Sequence, residues 1–171
     1  MGLWTGSRGG PVLTLYMVPE KRNTTVRLLS ESRIDRLLLV SRRIGVLGIK
    51  PKSRRKRSAH HIPAYLKDVG YEIIPVPVYY PDVREILGAR VYRRVRDIPG
   101  RLDVLVVFRR PDHVERHTCD ILAARPSVVW FQSGLYHPPL AERLVRSGIG
   151  LVHDCIGCRR ASLPPSYAPL W

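Results

Sequence analysis

Apolar and polar positions along this chain follow two periods. Short apolar runs rich in β-branched residues predict strands at residues 44–47, 71–78, 102–108, 127–131 and 149–153. Apolar residues at helical spacing predict helices between them, at residues 59–68, 111–124 and 139–146. An earlier helix is also expected, with Thr24 or Thr25 as its N-cap and an apolar side formed by Leu28, Leu29, Ile34, Leu37 and Leu38.

Alternating strands and helices predict the fold class. Parallel strands need crossover connections, and the crossovers cover both faces of the sheet. The expected fold is α/β, a three-layer, Rossmann-like, doubly wound and mainly parallel sheet. Residues 79–100 are expected to add a helical turn, a short strand at 91–92 and a second turn ending at Gly100. Ligands of such sheets bind at the carboxyl ends of the strands, where the strand order reverses.

The length of 171 residues fits one domain, expected at residues 23–158. Residues 1–22 are expected to form a disordered leader, and residues 159–171 an irregular C-terminal tail. No run of about 18 uncharged apolar residues and no signal-peptide pattern is present, so a soluble, cytoplasmic protein is expected. The three cysteines, Cys119, Cys155 and Cys158, are expected to be free thiols.

The formal net charge is +15 at pH 7, which favours polyanionic partners. Of the 29 basic residues, 24 are Arg, spread from Arg8 to Arg160. A coding bias toward Arg would give the same total. We therefore assign functional meaning only to cations that lie beside a motif.

One such motif is the strand, loop and helix of residues 44–66. The strand ends at Gly48, a basic loop containing Pro51 follows, and the apolar pattern resumes at Ile62. A helix that begins after such a loop presents backbone N–H groups and a positive dipole to phosphate. A dinucleotide fingerprint is absent, since only Gly45 and Gly48 occur where G-x-G-x-x-G is needed. The second strand also lacks the carboxylate that holds a ribose in NAD enzymes, so a nucleotide-dependent oxidoreductase is disfavoured.

Several linked segments carry a resemblance to a known family. These are VLGIKP, then IPAYLKDVGYEIIPVPVYYPDVREILG, VYRRVRDIPGRLDVLVVFRRPDHV, VVWFQSG and AERLVRSGIGLVHD. From residue 33 to residue 154 the chain resembles the coenzyme A-binding domain family. Its members are small, stand-alone Rossmann-fold proteins related to the N-terminal domain of the succinyl-CoA synthetase alpha subunit.

The resemblance implies a nucleotide-binding, NAD(P)-binding-like domain that holds coenzyme A (CoA) or an acyl-CoA. The loop over residues 48–58 would hold the phosphates, and the implied cofactor-binding residues are Gly48, Ile49, Lys50, Arg57, Pro75, Val76, Pro77, Phe108, Arg109, Arg110, Gln132, Ser133, Gly134 and Cys155. The chain departs from the family pattern in having Ala59 where many members have Ser, and Pro77 where many have Asn. Its ending after Asp154 also lacks the Arg of the family's Asp-Arg-Cys.

Other functions remain open from the residues alone. A nucleic-acid-binding basic protein would use Arg54, Arg55, Lys56 and Arg57. An acyl-CoA enzyme would need a nucleophile that only Cys155 offers. No catalytic constellation is identifiable, so a non-catalytic protein is expected.

Two short motifs have weaker support. His113 and His117 are spaced for one helix face, yet no third ligand is placed, and no metal is expected. Cys155 and Cys158 have the spacing of a redox pair, but they follow a late strand rather than opening an early helix.

Asp103 and Asp154 are expected to serve turns and caps.

Overall fold

A computed structural model describes residues 31–164 and, in the segment before them, the backbone of one strand. In chain order the strands are β1 (Leu15–Met17), β2 (Arg43–Leu47), β3 (Glu72–Val76), β4 (Glu85–Ile86), β5 (Ala89–Arg90), β6 (Val104–Val107), β7 (Val128–Phe131) and β8 (Gly150–His153). The helices are α1 (Glu31–Val40), α2 (Ser58–Asp68), α3 (Pro111–Val114), α4 (Thr118–Ala124), α5 (Pro138–Arg146) and α6 (Ile156–Ser162). Short 3₁₀ helices lie at Lys52–Arg54, Val95–Asp97 and Glu115–His117.

The main sheet has the strand order β1-β8-β7-β6-β2-β3. Strands β8, β7, β6, β2 and β3 are parallel, and β1 pairs antiparallel with β8 at the edge. The chain leaves β2 to form β3 on one side and then crosses to β6 on the other. The strand order therefore reverses between β2 and β6, which is where a doubly wound sheet binds its ligands.

Two apolar layers enclose the sheet because its central strands are buried on both faces. Every residue of β6 and β7 is buried, as expected for continuous apolar runs in a parallel sheet. Alternate residues face alternate layers: Val104 and Val106 pack with α1, α2 and α6, whereas Leu105 and Val107 pack with α4 and α5. The predicted three-layer Rossmann-like architecture is confirmed.

The structure corrects several expectations at the ends of the chain. Leu15–Met17 forms a strand, so the predicted disordered leader is wrong for these three residues, whose backbone pairs with β8. The rest of residues 1–22 lies outside the described residues, as do Thr24, Thr25, Leu28 and Leu29. At the other end, α6 occupies part of the segment predicted to be an irregular tail, because Ile156 and Arg160 are buried against the sheet layer.

Two internal elements also differ from expectation. Residues 85–90 form a hairpin rather than a helical turn, and the predicted strand at 91–92 lies just beyond it. Tyr92 N–H still donates to the Pro75 carbonyl at 2.9 Å, which joins this segment to β3. The helix predicted over residues 111–124 is broken by the 3₁₀ helix Glu115–His117.

None of the helices in the described part of the chain combines the length and the apolar character needed to cross a bilayer.

Candidate phosphate-binding site

Gly48 lies at the carboxyl end of β2, where the strand order reverses. Its N–H donates to the Val76 carbonyl at 2.8 Å, and its φ is +88°. A Cβ at this position would lie 2.6 Å from the Phe108 carbonyl oxygen. Only glycine fits this backbone conformation and this close approach between the ends of β2 and β6.

The basic loop, defined here as residues 52–57, follows Gly48 and precedes α2. Its ends are held together because Lys50 N–H donates to the Ala59 carbonyl at 3.0 Å, and the Lys50 carbonyl lies 2.7 Å from His60 Nδ1. Arg54 N–H donates to the carbonyl of Pro51, just before the loop, at 2.8 Å, and within the loop Arg57 N–H donates to the Arg54 carbonyl at 2.9 Å. The loop is thus a closed, internally hydrogen-bonded turn that presents its side chains outward.

The basic loop lines a cavity of about 390 Å³ at the start of α2. Its residues are Lys52, Ser53, Arg54, Arg55, Lys56 and Arg57, all exposed. Arg57 is the N-cap of α2 and makes no capping hydrogen bond with its side chain. Five cations and the N-terminus of an 11-residue helix therefore surround one open cavity, which is an arrangement that attracts phosphate.

Arg109 places a further cation at the end of β2, against Gly48. Its Cδ would lie 3.1 Å from a Cβ on Gly48, so the side chain crosses the end of β2. The Arg109 guanidinium carbon lies 5.2 Å from the centre of the Tyr79 ring, at cation–π distance. Its Nε is buried and has no hydrogen-bond partner among the described residues, so this donor is unpaired.

Tyr79 and Tyr80 are two aromatic side chains that sequence reasoning missed. Hydrogen bonding by Arg109, and then its charge, lower the pKa of the Tyr79 hydroxyl, and Lys50 and Arg116 act in the same direction. Lys50 Nζ lies 6.0 Å from the centre of the Tyr80 ring. The only signal in the sequence was a pair of aromatic residues directly after the end of β3.

Gln132 follows β7 at the same edge of the sheet. The residue is only 6% exposed, and its Nε2 has no hydrogen-bond partner within residues 31–164. A turn follows, in which Leu135 N–H donates to the Gln132 carbonyl at 2.9 Å, with Ser133 exposed and Gly134 at φ +77°. This turn and the Arg109 segment stand side by side because β7 and β6 are neighbours.

Several other predicted site residues are buried or already paired, so their side chains are less free to contact a ligand. Ile49 is 1% exposed and packs in the core, so only its backbone can face a ligand. Pro75, Val76 and Pro77 are likewise buried, and Phe108 is half-buried. Arg110 is exposed and forms two hydrogen bonds to the Asp112 carboxylate, at 2.7 and 3.2 Å.

Cys155 is not the free thiol that was expected, and neither is Cys158. The two residues form a disulfide, with their Cα atoms 5.3 Å apart. Cys155 is the N-cap of α6 and Cys158 lies in its first turn, so the helix brings the two sulfur atoms together. Cys119 is free and exposed, as predicted.

The described residues contain no group of three His, Cys, Asp or Glu side chains arranged to hold a metal ion. The single helix predicted to carry both His113 and His117 is not formed, because His113 lies in α3 and His117 in the 3₁₀ helix after it. Burial, and then the charge of Arg109, lower the pKa of His117. Asp103 makes a long-range contact instead of the predicted turn or cap, since its Oδ2 accepts from Arg42 N–H and Arg43 N–H at the start of β2, both at 2.8 Å.

The fold and loop geometry together define a Rossmann-like α/β domain with a basic loop at the switch point of its sheet. The model of the CoA binding domain family matches residues 42–161, and the chain belongs to this family. The predicted membership is confirmed. The match continues past Asp154 and through most of α6.

Individual relatives agree with this assignment. The chain is 32% identical over 128 residues to the uncharacterized protein YneT of Bacillus subtilis (strain 168), which covers 74% of this chain and 91% of that protein. A solved Thermus thermophilus structure, described as cell-free ID.343, is 31% identical with a TM-score of 0.71 and covers 78% of this chain and 98% of its own. A hypothetical protein from Pyrococcus horikoshii OT3 is 27% identical with a TM-score of 0.70, over 79% and 92% of the two chains.

Proposed function

We propose that this protein binds CoA or an acyl-CoA at the carboxyl edge of its sheet, and that it does so without catalysing a reaction itself. The observation that carries the proposal is the basic loop, whose five cations line one cavity at the N-terminus of α2. Membership of the CoA binding domain family supports CoA as the ligand.

The phosphates of CoA fit the charge of the basic loop. CoA carries a pyrophosphate and a further phosphate on its ribose, and arginine binds phosphate oxygens through paired N–H donors. The N–H groups at the start of α2 add donors that need no side chain. In this arrangement Arg57, at the end of the basic loop, and Lys50, two residues before its start, hold the phosphates between them.

Arg109 and Gln132 supply the polar contacts beyond the loop. Each has a buried nitrogen for which the described residues provide no hydrogen-bond partner, Arg109 Nε and Gln132 Nε2. An unpaired buried donor costs about 1–3 kcal/mol, so a ligand that accepts from it recovers that free energy. We assign both side chains to ligand binding and Tyr79 to holding the Arg109 guanidinium in place.

CoA is favoured over NAD by the local sequence of the site. The turn after β2 has Ile49, Lys50 and Pro51 where a dinucleotide fingerprint needs further glycines. At the end of β3 the chain continues as Pro77, Val78 and Tyr79 and has no carboxylate to hold both ribose hydroxyls of NAD. The surplus of cations instead suits a ligand with a phosphate on the adenosine ribose.

The test is a calorimetric and thermal-shift series with CoA, acetyl-CoA, dephospho-CoA, NAD and NADP at one salt concentration. CoA is expected to bind more tightly than dephospho-CoA, and both more tightly than NAD. Acetyl-CoA is expected to bind about as well as CoA, because the contacts proposed here involve the phosphates and the adenosine end. Tighter binding of NAD than of CoA, or no binding of any CoA species by folded protein, would refute the proposal.

A further inference from the structure

The disulfide between Cys155 and Cys158 lies at the same edge of the sheet as the proposed CoA site. Cys155 follows the carboxyl end of β8 by two residues and is half-buried, whereas Cys158 is exposed. Cys158 is therefore the more accessible of the two cysteines to a thiol from solvent.

The pair is also close to the start of α2. Gly157, between the two cysteines, packs against α2, and a Cβ on it would lie 3.2 Å from Ile62 Cγ2. Ile62 follows Ser58 by four residues, which is about 6 Å along the helix axis. Gly157, which lies between the two cysteines in sequence, thus contacts α2 about one helical turn beyond the point at which the basic loop enters it.

Contacts other than the disulfide hold this turn in place. Trp130 Nε1 donates to the Asp154 carbonyl at 2.8 Å, and Cys155 N–H donates to Asp154 Oδ1 at 2.7 Å. Arg159 Nε donates to Asp35 Oδ1 at 2.7 Å and ties α6 to α1. The two cysteines are only three positions apart in sequence. A disulfide that closes so short a loop restricts the unfolded chain little and therefore adds little stability. The disulfide can therefore open while α6 stays docked, which suits a reactive bond better than a structural one.

We propose that the Cys155–Cys158 disulfide undergoes exchange with the thiol of CoA held at the basic loop, an inference that rests on the proposed function. The CoA thiolate attacks Cys158 Sγ, the bond between Cys158 and Cys155 breaks, and a CoA–Cys158 disulfide forms. The electron pair goes to Cys155 Sγ, which leaves as a thiolate and then takes a proton from solvent. No external oxidant or reductant is needed, since one disulfide is exchanged for another.

Cys155 is suited to be the leaving group. The N–H of Cys158 donates to Cys155 Sγ at 3.2 Å, and a sulfur that accepts a backbone hydrogen bond is stabilised as a thiolate. A better-stabilised thiolate leaves faster in exchange. The same thiolate then stands beside the mixed disulfide and can attack Cys158 Sγ to release CoA, so the modification is reversible.

The test uses the full chain with Cys119→Ser, which removes the exposed free thiol. After oxidation and removal of oxygen, the protein is incubated with CoA or with the same concentration of glutathione, and intact mass is followed over time. The expected product gains the mass of one whole CoA, mapped to Cys158, at least about tenfold faster than glutathione adds, because the bound thiol attacks as an intramolecular group. Excess acetyl-CoA is expected to suppress the CoA adduct.

Two matched variants, Cys155→Ser and Cys158→Ser, have no bond to exchange and are expected to gain no CoA under the same conditions. Equal rates for CoA and glutathione, or a protein in which oxidation fails to link Cys155 to Cys158, would overturn the inference. Calorimetry with acetyl-CoA, which has no free thiol, separates the two proposals. Binding of acetyl-CoA without a CoA adduct refutes the exchange alone, whereas absence of acetyl-CoA binding refutes the proposed function.

Discussion

Gly48 and Phe108 approach so closely that a Cβ on Gly48 would lie 2.6 Å from the Phe108 carbonyl oxygen. We expect Gly48→Ala to lower the free energy of unfolding by about 2 kcal/mol or more. About 1–2 kcal/mol comes from the left-handed backbone at φ +88°, and the remainder from the displaced end of β6. Urea unfolding measures the loss.

Gly70→Ala is the matched control for this prediction. Gly70 also has a positive φ, +109°, but no atom of the described part of the chain lies within 4 Å of a Cβ built on it. The Gly70→Ala variant should lose only the part of the free energy of unfolding that comes from the backbone conformation, and its affinity for CoA should be unchanged. Equal losses of stability in the two variants would show that the contact with Phe108 costs nothing.

Arg109 lies across the end of β2 and is expected to contact the ligand. We expect Arg109→Ala to weaken CoA binding by about tenfold or more, because a hydrogen bond to a charged group contributes roughly 1.5–3 kcal/mol. Calorimetry at fixed salt measures the change. Arg101→Ala is the matched control, because Arg101 is an exposed arginine that precedes β6 and so lies at the opposite edge of the sheet. This variant should bind CoA nearly as well as the unmodified protein. An unchanged affinity in Arg109→Ala would remove this residue from the site.

The central strands could be predicted from the sequence because their signal is local. The apolar runs that form β6 and β7 are β-branched, uninterrupted and buried on both faces. The hairpin of β4 and β5 gave no such signal. Its turn residues, Leu87 and Gly88, both have positive φ, of 54° and 72°, yet Leu is not a residue that marks such a turn.

The missed helix α6 depends on contacts made far along the chain. Its sequence, IGCRRAS, contains a glycine and spans only seven residues, which is too short to be stable alone. It is stabilised by the burial of Ile156 and by Arg159, which pairs with Asp35, 124 positions earlier. Such pairing cannot be deduced from local periodicity.

The candidate site also contains a part that local sequence predicts and a part that depends on distant contacts. Gly48 and the basic loop are contiguous in sequence, so the strand-loop-helix pattern predicted them together. Arg109 contacts Tyr79 because β6 and β3 lie on either side of β2, so that the residues after these two strands meet at its end. Only the order of the strands in the sheet, which is not a local feature of the sequence, determines this arrangement. The sequence marked Arg109 as a candidate but could not show which aromatic ring it contacts.

Nucleic acid is the competing polyanion for the basic loop, and its binding has a recognisable salt dependence. If duplex DNA were the partner, log affinity would fall with log salt at a slope of about −0.9 per phosphate contact and would remain measurable near physiological ionic strength. We expect DNA binding to disappear at that salt while CoA binding persists. Electrophoretic shift and calorimetry on one sample give both values. Submicromolar DNA affinity at that salt would reverse the order of the two functions.

Arg159 is expected to stabilise the docking of α6. Its side chain is 12% exposed and pairs with Glu31 and with Asp35, the latter at 2.7 Å. Arg159→Met keeps the apolar stem but leaves the two carboxylates unpaired, so the free energy of unfolding should fall by about 1–3 kcal/mol. Arg146→Met, which breaks an exposed pair with Glu142, should change it by less than about 1 kcal/mol. Similar effects in both variants would mean that α6 is held by apolar contacts alone.

His153 should make the protein less stable as the pH falls. Burial lowers the pKa of His153 below its usual value near 6.5, and the charge of Asp154 only partly offsets this. Its Nε2 is buried without a hydrogen-bond partner in the part of the chain that the structure describes, and its ring centre lies 5.1 Å from that of Tyr136. Below about pH 6.5 the unfolded chain therefore binds more protons than the folded one, and stability decreases until the pH passes the folded pKa.

The measurement for His153 is the free energy of unfolding from about pH 7.5 to about pH 5.5. His153→Gln should flatten the decline without removing it, because the pKa of His117 is also lowered, by burial and by Arg109. His61→Gln, at an exposed position on α2, should keep the slope of the unmodified protein. If His153→Gln and the unmodified chain lose stability in parallel, the imidazole of His153 is not the group that couples folding to protonation.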